Sequence, residues 1–136
     1  MKIYLAARYS RYTEMYDYAE ELRVIGHVVT SRWIRGEHQI TDAQLEDSMH
    51  EELRRRFAEE DLQDLMAADL CISFTEEPRA NSSRGGRHVE FGVALAMQKL
   101  CYVVGHRENV FHCLASVRFF HSWDECLGAI ELRSAM

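Results

Sequence analysis

No stretch of the 136-residue chain approaches the ~20 consecutive apolar residues that a membrane-crossing helix needs. A strand-like pattern starts at Lys2, which leaves no room for a secretory signal peptide ahead of it. The four cysteines, Cys71, Cys101, Cys113 and Cys126, have no Cys-x-x-Cys spacing. Cys71 and Cys101 lie inside apolar runs and read as buried thiols rather than bridges or ligands, which fits a reducing, cytoplasmic setting. The seven histidines contain neither His-x-x-x-His nor His-Glu-x-x-His, so no metal site is expected. A Gly-x-Gly-x-x-Gly after the first strand is missing, which argues against a dinucleotide cofactor. So is the Gly-x-x-x-x-Gly-Lys-Ser/Thr spacing of an ATP-hydrolysing loop. A flavodoxin-type FMN site would need a Ser/Thr-rich loop after the first strand, where Arg8-Tyr9-Ser10-Arg11 stands instead. No cofactor is therefore expected. A formal net charge of -6 supplies no domain-wide positive field for polymeric nucleic acid. Repeats, low-complexity segments and linkers are also absent, so residues 1–136 read as a single domain.

What is present is an alternation of strands and helices in a chain whose 47% hydrophobic content suffices for a core. Residues 2–7 read as a first, central strand. Residues 12–25 carry helical periodicity through Met15, Tyr18, Ala19, Leu22 and Ile25, and Gly26 stops the helix. Residues 27–31 form a second strand, parallel to the first through a right-handed crossover. Residues 33–47 have no clean period and read as an excursion over the sheet edge. Residues 48–67 form a long charged helix. Asp69, a cap or salt-bridge residue, opens a third strand, 70–74. Residues 89–97 form a helix, 100–104 a fourth strand and 117–120 a fifth. Ser122 with Glu125 reads as a capping box for a last helix, 123–133. The pattern predicts a three-layer α/β fold with a parallel sheet of about five strands. Ligands of such sheets sit at the carboxyl ends of the strands, at the topological switch point.

The stretch that carries chemistry is 82–92, Ser-Ser-Arg-Gly-Gly-Arg-His-Val-Glu-Phe-Gly. A small-residue loop between a strand end and a helix start presents backbone N–H groups and the positive end of a dipole to an anion. Ser82, Gly85 and Gly86 build that loop. Arg8, Arg84 and Arg87 could grip a phosphate, or be surface arginines. Glu90 is placed in the first helical turn, where the dipole stabilises the anion and suits a nucleophile. The bland alternative is a solvated dipole partner. Tyr4 is either core or the group that hydrogen-bonds Glu90. Asp61 could reach a ligand if the long helix ends over the crevice. Trp33 could stack on a base or cover the sheet edge. The polar run 107–112 borders the crevice or an oligomer contact.

Three segments taken together resemble the nucleoside 2-deoxyribosyltransferase superfamily and its nucleotide N-hydrolase relatives. They are Lys2-Ile3-Tyr4-Leu5-Ala6-Ala7, Asp61 with Ala68-Asp69, and Gly86-Arg87-His88-Val89-Glu90-Phe91-Gly92-Val93-Ala94. The resemblance implies a flavodoxin-like sheet. It casts Glu90 as the nucleophile that attacks C1′ of a nucleoside, Tyr4 as the residue that orients it and Asp61 as a residue near the base. It also implies a homodimer or higher homo-oligomer in which a neighbour completes the site. The candidates for the donated piece are Asn109 to His112, with Phe111, Phe119 and Phe120 as interface residues. One departure matters. The transferases carry an aspartate six positions before the glutamate, where this chain has Arg84. That exchange favours a 5′-phosphorylated substrate. The expected activity is cleavage of an N-glycosidic bond, with water or a second base as acceptor. The alternative is a module of the same fold that binds or senses a nucleotide without cleaving it.

Overall fold

The computed structural model describes residues 1–38, 50–78 and 84–135. Five strands form one all-parallel sheet: β1 (Lys2–Ala6), β2 (Val28–Val29), β3 (Leu70–Phe74), β4 (Leu100–Val104) and β5 (Val117–Phe120). Among the described residues, four α-helices connect and cover them: α1 (Tyr12–Val24), α2 (Glu51–Met66), α3 (Gly86–Ala96) and α4 (Trp123–Ala135). The strand order is β2-β1-β3-β4-β5. This is the flavodoxin-like doubly wound order, with the switch point between β1 and β3. The centre of the sheet is therefore β3, not β1. Every residue of β3 is buried, as a strand covered on both faces requires.

Side-chain alternation divides the sheet into two faces. On one, Phe74 stacks on Tyr18 of α1 at 5.4 Å and tilts against Trp123 of α4 at 5.8 Å. Tyr4 turns to the other face and meets α3. Tyr4, Cys71 and Cys101 are register partners across three strands. Cys71 and Cys101 are buried free thiols, and burial pushes the pKa of Cys101 up to about 11.

Local chemistry sets the element ends. Gly26, at φ +96°, closes α1 in a Schellman motif: His27 N–H reaches Leu22 O and Gly26 N–H reaches Arg23 O, both at 3.0 Å. The second strand is shorter than expected. Only Val28 and Val29 pair in it, because Leu5 N–H turns to the Ser31 hydroxyl instead of a backbone carbonyl. Asp69 accepts from Lys2 N–H at 2.9 Å and ties the start of β3 to that of β1. At the last helix the expected box is half formed. Ser122 Oγ accepts from Glu125 N–H, but the Glu125 carboxylate reaches past Ser122 to His121 N–H. Helix α3 begins three residues earlier than the sequence pattern suggests, at Gly86, behind a left-handed Gly85 at φ +86°. The excursion expected at 33–47 opens as a single 3₁₀ turn, Arg32–Arg35, closed by Gly36; its part from 39 onward lies outside the described residues.

Beyond β4 the chain turns at Gly105, which has φ +118° and donates its N–H to Phe120 O at 3.0 Å. A Cβ there would lie 3.0 Å from Thr75 Oγ1 and 3.2 Å from Thr75 O. Strain and collision act together at this site. Gly105→Ala is expected to destabilise the protein by about 2–3 kcal/mol, read as a lower urea midpoint with an unchanged slope.

Candidate active site

The switch point separates β1 from β3, and α3 crosses it. Tyr4 projects from β1 and Glu90 from α3, and the Tyr4 hydroxyl donates to Glu90 Oε2. Tyr4 is fully buried and Glu90 half-buried. Because α3 starts at Gly86, Glu90 stands in its second turn, not the first. The dipole is felt mainly within the first turn, so its support for the anion is weak here. Desolvation dominates instead and pushes the Glu90 carboxyl up to about 8. The expectation of a dipole-stabilised anion is thus corrected: near neutral pH the group is poised close to its own midpoint.

Around this pair the loops at the strand ends are tied by ion pairs. Arg87 is only 3% exposed. Its guanidinium forms a fork on Glu108, with Nη1 2.5 Å from Oε1 and Nη2 2.9 Å from Oε2. Burial works against ionisation of Glu108, but the Arg87 bonds and the Glu76 N–H outweigh it and lower its pKa. Glu76 accepts from Arg8 Nη1 at 3.4 Å and from Arg11 Nη1 at 2.7 Å. Arg11 also reaches Thr75 O and forks on Glu14.

Several of the expected ligands are engaged by other groups of the protein. Arg87 is already engaged by Glu108, so it is not a spare phosphate partner. Trp33 is 4% exposed, with Nε1 donating to Leu5 O at 2.8 Å and the Tyr9 ring tilted at 6.2 Å. That leaves no face for a base and favours the covering role. Asn109 spends its side chain on Phe111 N–H at 2.9 Å, capping the 3₁₀ turn Val110–Cys113. His112 is 1% exposed, and its Nδ1 accepts from Glu108 N–H at 3.0 Å and from Asn109 N–H at 3.3 Å. His112 is thus enclosed, whereas Asn109 is half-buried. Phe120 is core, edge-on to Tyr102 at 5.2 Å, whereas Phe111 is exposed. Phe119 lies under the Arg107 guanidinium at 3.9 Å.

Asp61 lies within α2, one turn before its end, and sits 3.1 Å from His38 Nδ1. His38 Nε2 is 2.9 Å from Glu60, and the ring stacks on Phe57 at 4.3 Å. Burial opposes protonation of His38, but the two acids overcome it and raise its pKa. Arg84 is exposed at the mouth of α3, Gly85 and Gly86 shape the start of that helix, and Ser82 lies outside the described residues. Sequence reasoning singled out neither Glu76 nor Glu108 as a site residue, although Glu108 lies in the polar run 107–112. Each follows a strand that ends in the crevice, and that position was the available signal.

No family model matches the chain, and no curated protein sequence does. Solved structures do share its fold. A 2-deoxyribosyltransferase from Bacillus psychrosaccharolyticus superposes with a TM-score of 0.66 at 21% identity, over 93% of this chain and 90% of that one. The CMP N-glycosidase BcmB of Clostridium botulinum gives 0.57 at 20% identity, over 97% and 99%. A conserved protein of Enterococcus faecalis gives 0.61 at 16% identity, over 98% of both chains. The three-layer flavodoxin-like fold expected from the sequence is the one these proteins have.

The raised Glu90 carboxyl has a consequence for stability. Its folded pKa lies above the unfolded value, so its contribution is full below about 4.5 and is lost as pH rises through about 8. Gln is neutral at every pH and can still accept the Tyr4 bond. Glu90→Gln is therefore expected to match the wild-type Tm near pH 5 and exceed it at pH 9, by thermal denaturation at both values.

Proposed function

We propose that this protein cleaves the N-glycosidic bond of a (deoxy)nucleoside or its 5′-monophosphate through a covalent glycosyl–Glu90 intermediate. The observation that carries the reading is the Tyr4–Glu90 pair at the switch point, a carboxyl oriented by a buried hydroxyl at the carboxyl ends of the strands. Two proteins of similar fold, a 2-deoxyribosyltransferase and a CMP N-glycosidase, support the same class of chemistry.

In this mechanism the ionised Glu90 oxygen attacks C1′ and the C1′–N bond breaks. The bonding pair leaves on the base nitrogen, which takes up a proton from solvent. Water or a second base then attacks C1′ from the opposite side, loses its proton and restores the Glu90 carboxylate. Tyr4 holds the attacking oxygen in place and donates to the carboxylate before the first step and again once the second step releases it. The site would take a 5′-phosphate at the N-terminus of α3, with Arg84 and Arg8 beside it. Homo-oligomeric assembly belongs to the same reading, with the exposed Phe111 as its contact.

Incubation with deoxynucleosides and their 5′-monophosphates, followed by chromatography for free base, tests the activity. Glu90→Ala is expected to lower base release by at least ~10³-fold while leaving ligand-induced thermal stabilisation in place, and Tyr4→Phe by ~10- to 100-fold. The wild-type rate should climb with pH toward a plateau above about 8, the value to which burial pushes Glu90. No base released from any substrate would remove the enzyme reading, and stabilisation without turnover would mark a nucleotide-binding module. Release from unphosphorylated substrates only would remove the phosphate.

A further inference from the structure

We propose that Glu108 is a positioning residue for the Glu90 carboxyl, holding both flanks of Glu90 on α3 from the loop after β4. The inference rests on Glu90 being the working group of the site. Arg87 and Glu90 are three residues apart on α3 and so share one side of the helix. Glu108 grips the Arg87 guanidinium with both carboxylate oxygens. The other flank is held through the backbone. Glu108 N–H donates to His112 Nδ1, and the His112 ring packs edge-on to Phe91, the residue after Glu90, at 5.1 Å.

The same carboxylate reaches a third element. Glu108 Oε1 accepts from Glu76 N–H at 2.7 Å, in the loop after β3. The Glu76 side chain is in turn held by Arg8 and Arg11, from the segment after β1. His88 Nε2 lies 3.7 Å from Glu108 Oε2, and burial with the Arg87 charge lowers the pKa of that imidazole. One side chain thus joins the three strand-end segments that border the crevice to the helix that carries the nucleophile. Its own side chain is 11% exposed and that of Arg87 2%, so removing its charge leaves a buried guanidinium without the carboxylate that pairs with it. The first turn of α3 must then move to solvate Arg87, and Glu90 moves with it relative to Tyr4.

Carboxyl-carbon NMR of Glu90 across pH reads this without any turnover. In Glu108→Gln the Glu90 midpoint should fall from about 8 by a unit or more, as the carboxyl gains solvent. Base release should show kcat reduced ~10- to 100-fold with KM changed less than ~2-fold, the mark of a displaced reacting group. Glu108→Asp keeps the charge but is one methylene shorter, and should restore part of both effects. It also serves alone if Glu108→Gln does not fold, since its Glu90 midpoint should then sit below that of wild type. A folded variant with lower Tm but an unmoved Glu90 midpoint overturns the proposal and leaves Glu108 a stabilising ion pair. Absence of base release by the wild-type protein would overturn the glycosidase reading alone.

Discussion

The structure depends on one carboxyl kept out of water beside one hydroxyl. Glu90 meets Tyr4 where β1 and β3 diverge in connection order, and burial rather than the helix dipole sets its charge. A carboxylate at that depth is unstable as an anion and gains from any change that lets it share its charge. Bond formation to an electrophilic carbon removes the charge altogether. On the proposed reading, the folding cost of burying Glu90 is also a driving force for its attack, at a site beside the fully buried β3.

Around Glu90, among the described residues, several charges are paired across the strand ends. Arg87 faces Glu108, Arg11 faces Glu14 and Glu76, and Arg8 faces Glu76. These pairs join loops rather than residues of one element, except for Arg11 with Glu14. Their value lies in fixing the loops against one another, since a partly exposed pair contributes little to stability on its own.

Much of this was legible in the sequence. Parallel strands with helical crossovers follow from alternating periodicities, and Glu90 and Tyr4 stand out because each puts a polar group into an apolar setting. The order of strands was not legible, because nothing in Lys2–Ala6 marks it as second from the edge rather than central. The start of α3 was misjudged for a physical reason. Gly85 and Gly86 read as loop, but Gly85 alone makes the left-handed turn and Gly86 is already helical. That shift carried Glu90 out of the first turn and reversed the sign expected for its pKa. Arg87 reads as an available cation until its partner Glu108, from the loop after β4, is brought beside it, whereas Asn109 and His112 are held by the nearby backbone N–H groups of Phe111, Glu108 and Asn109. Polar residues near a strand end read as ligands until the fold supplies the groups that occupy them.

The same accounting bears on the phosphate. Three guanidiniums near the crevice, Arg8, Arg11 and Arg87, face three carboxylates, Glu14, Glu76 and Glu108. Their charges cancel, so the arginine-rich look of the sequence overstates the positive field. On the proposed reading a 5′-phosphate would meet chiefly the start of α3 and the exposed Arg84. A helix N-terminus carries roughly half a charge and lies partly in water, so it fixes an anion's position more than it drives binding. On that reading the affinity must come chiefly from the sugar and base, and the phosphate's part is to set which way the nucleotide lies over Glu90.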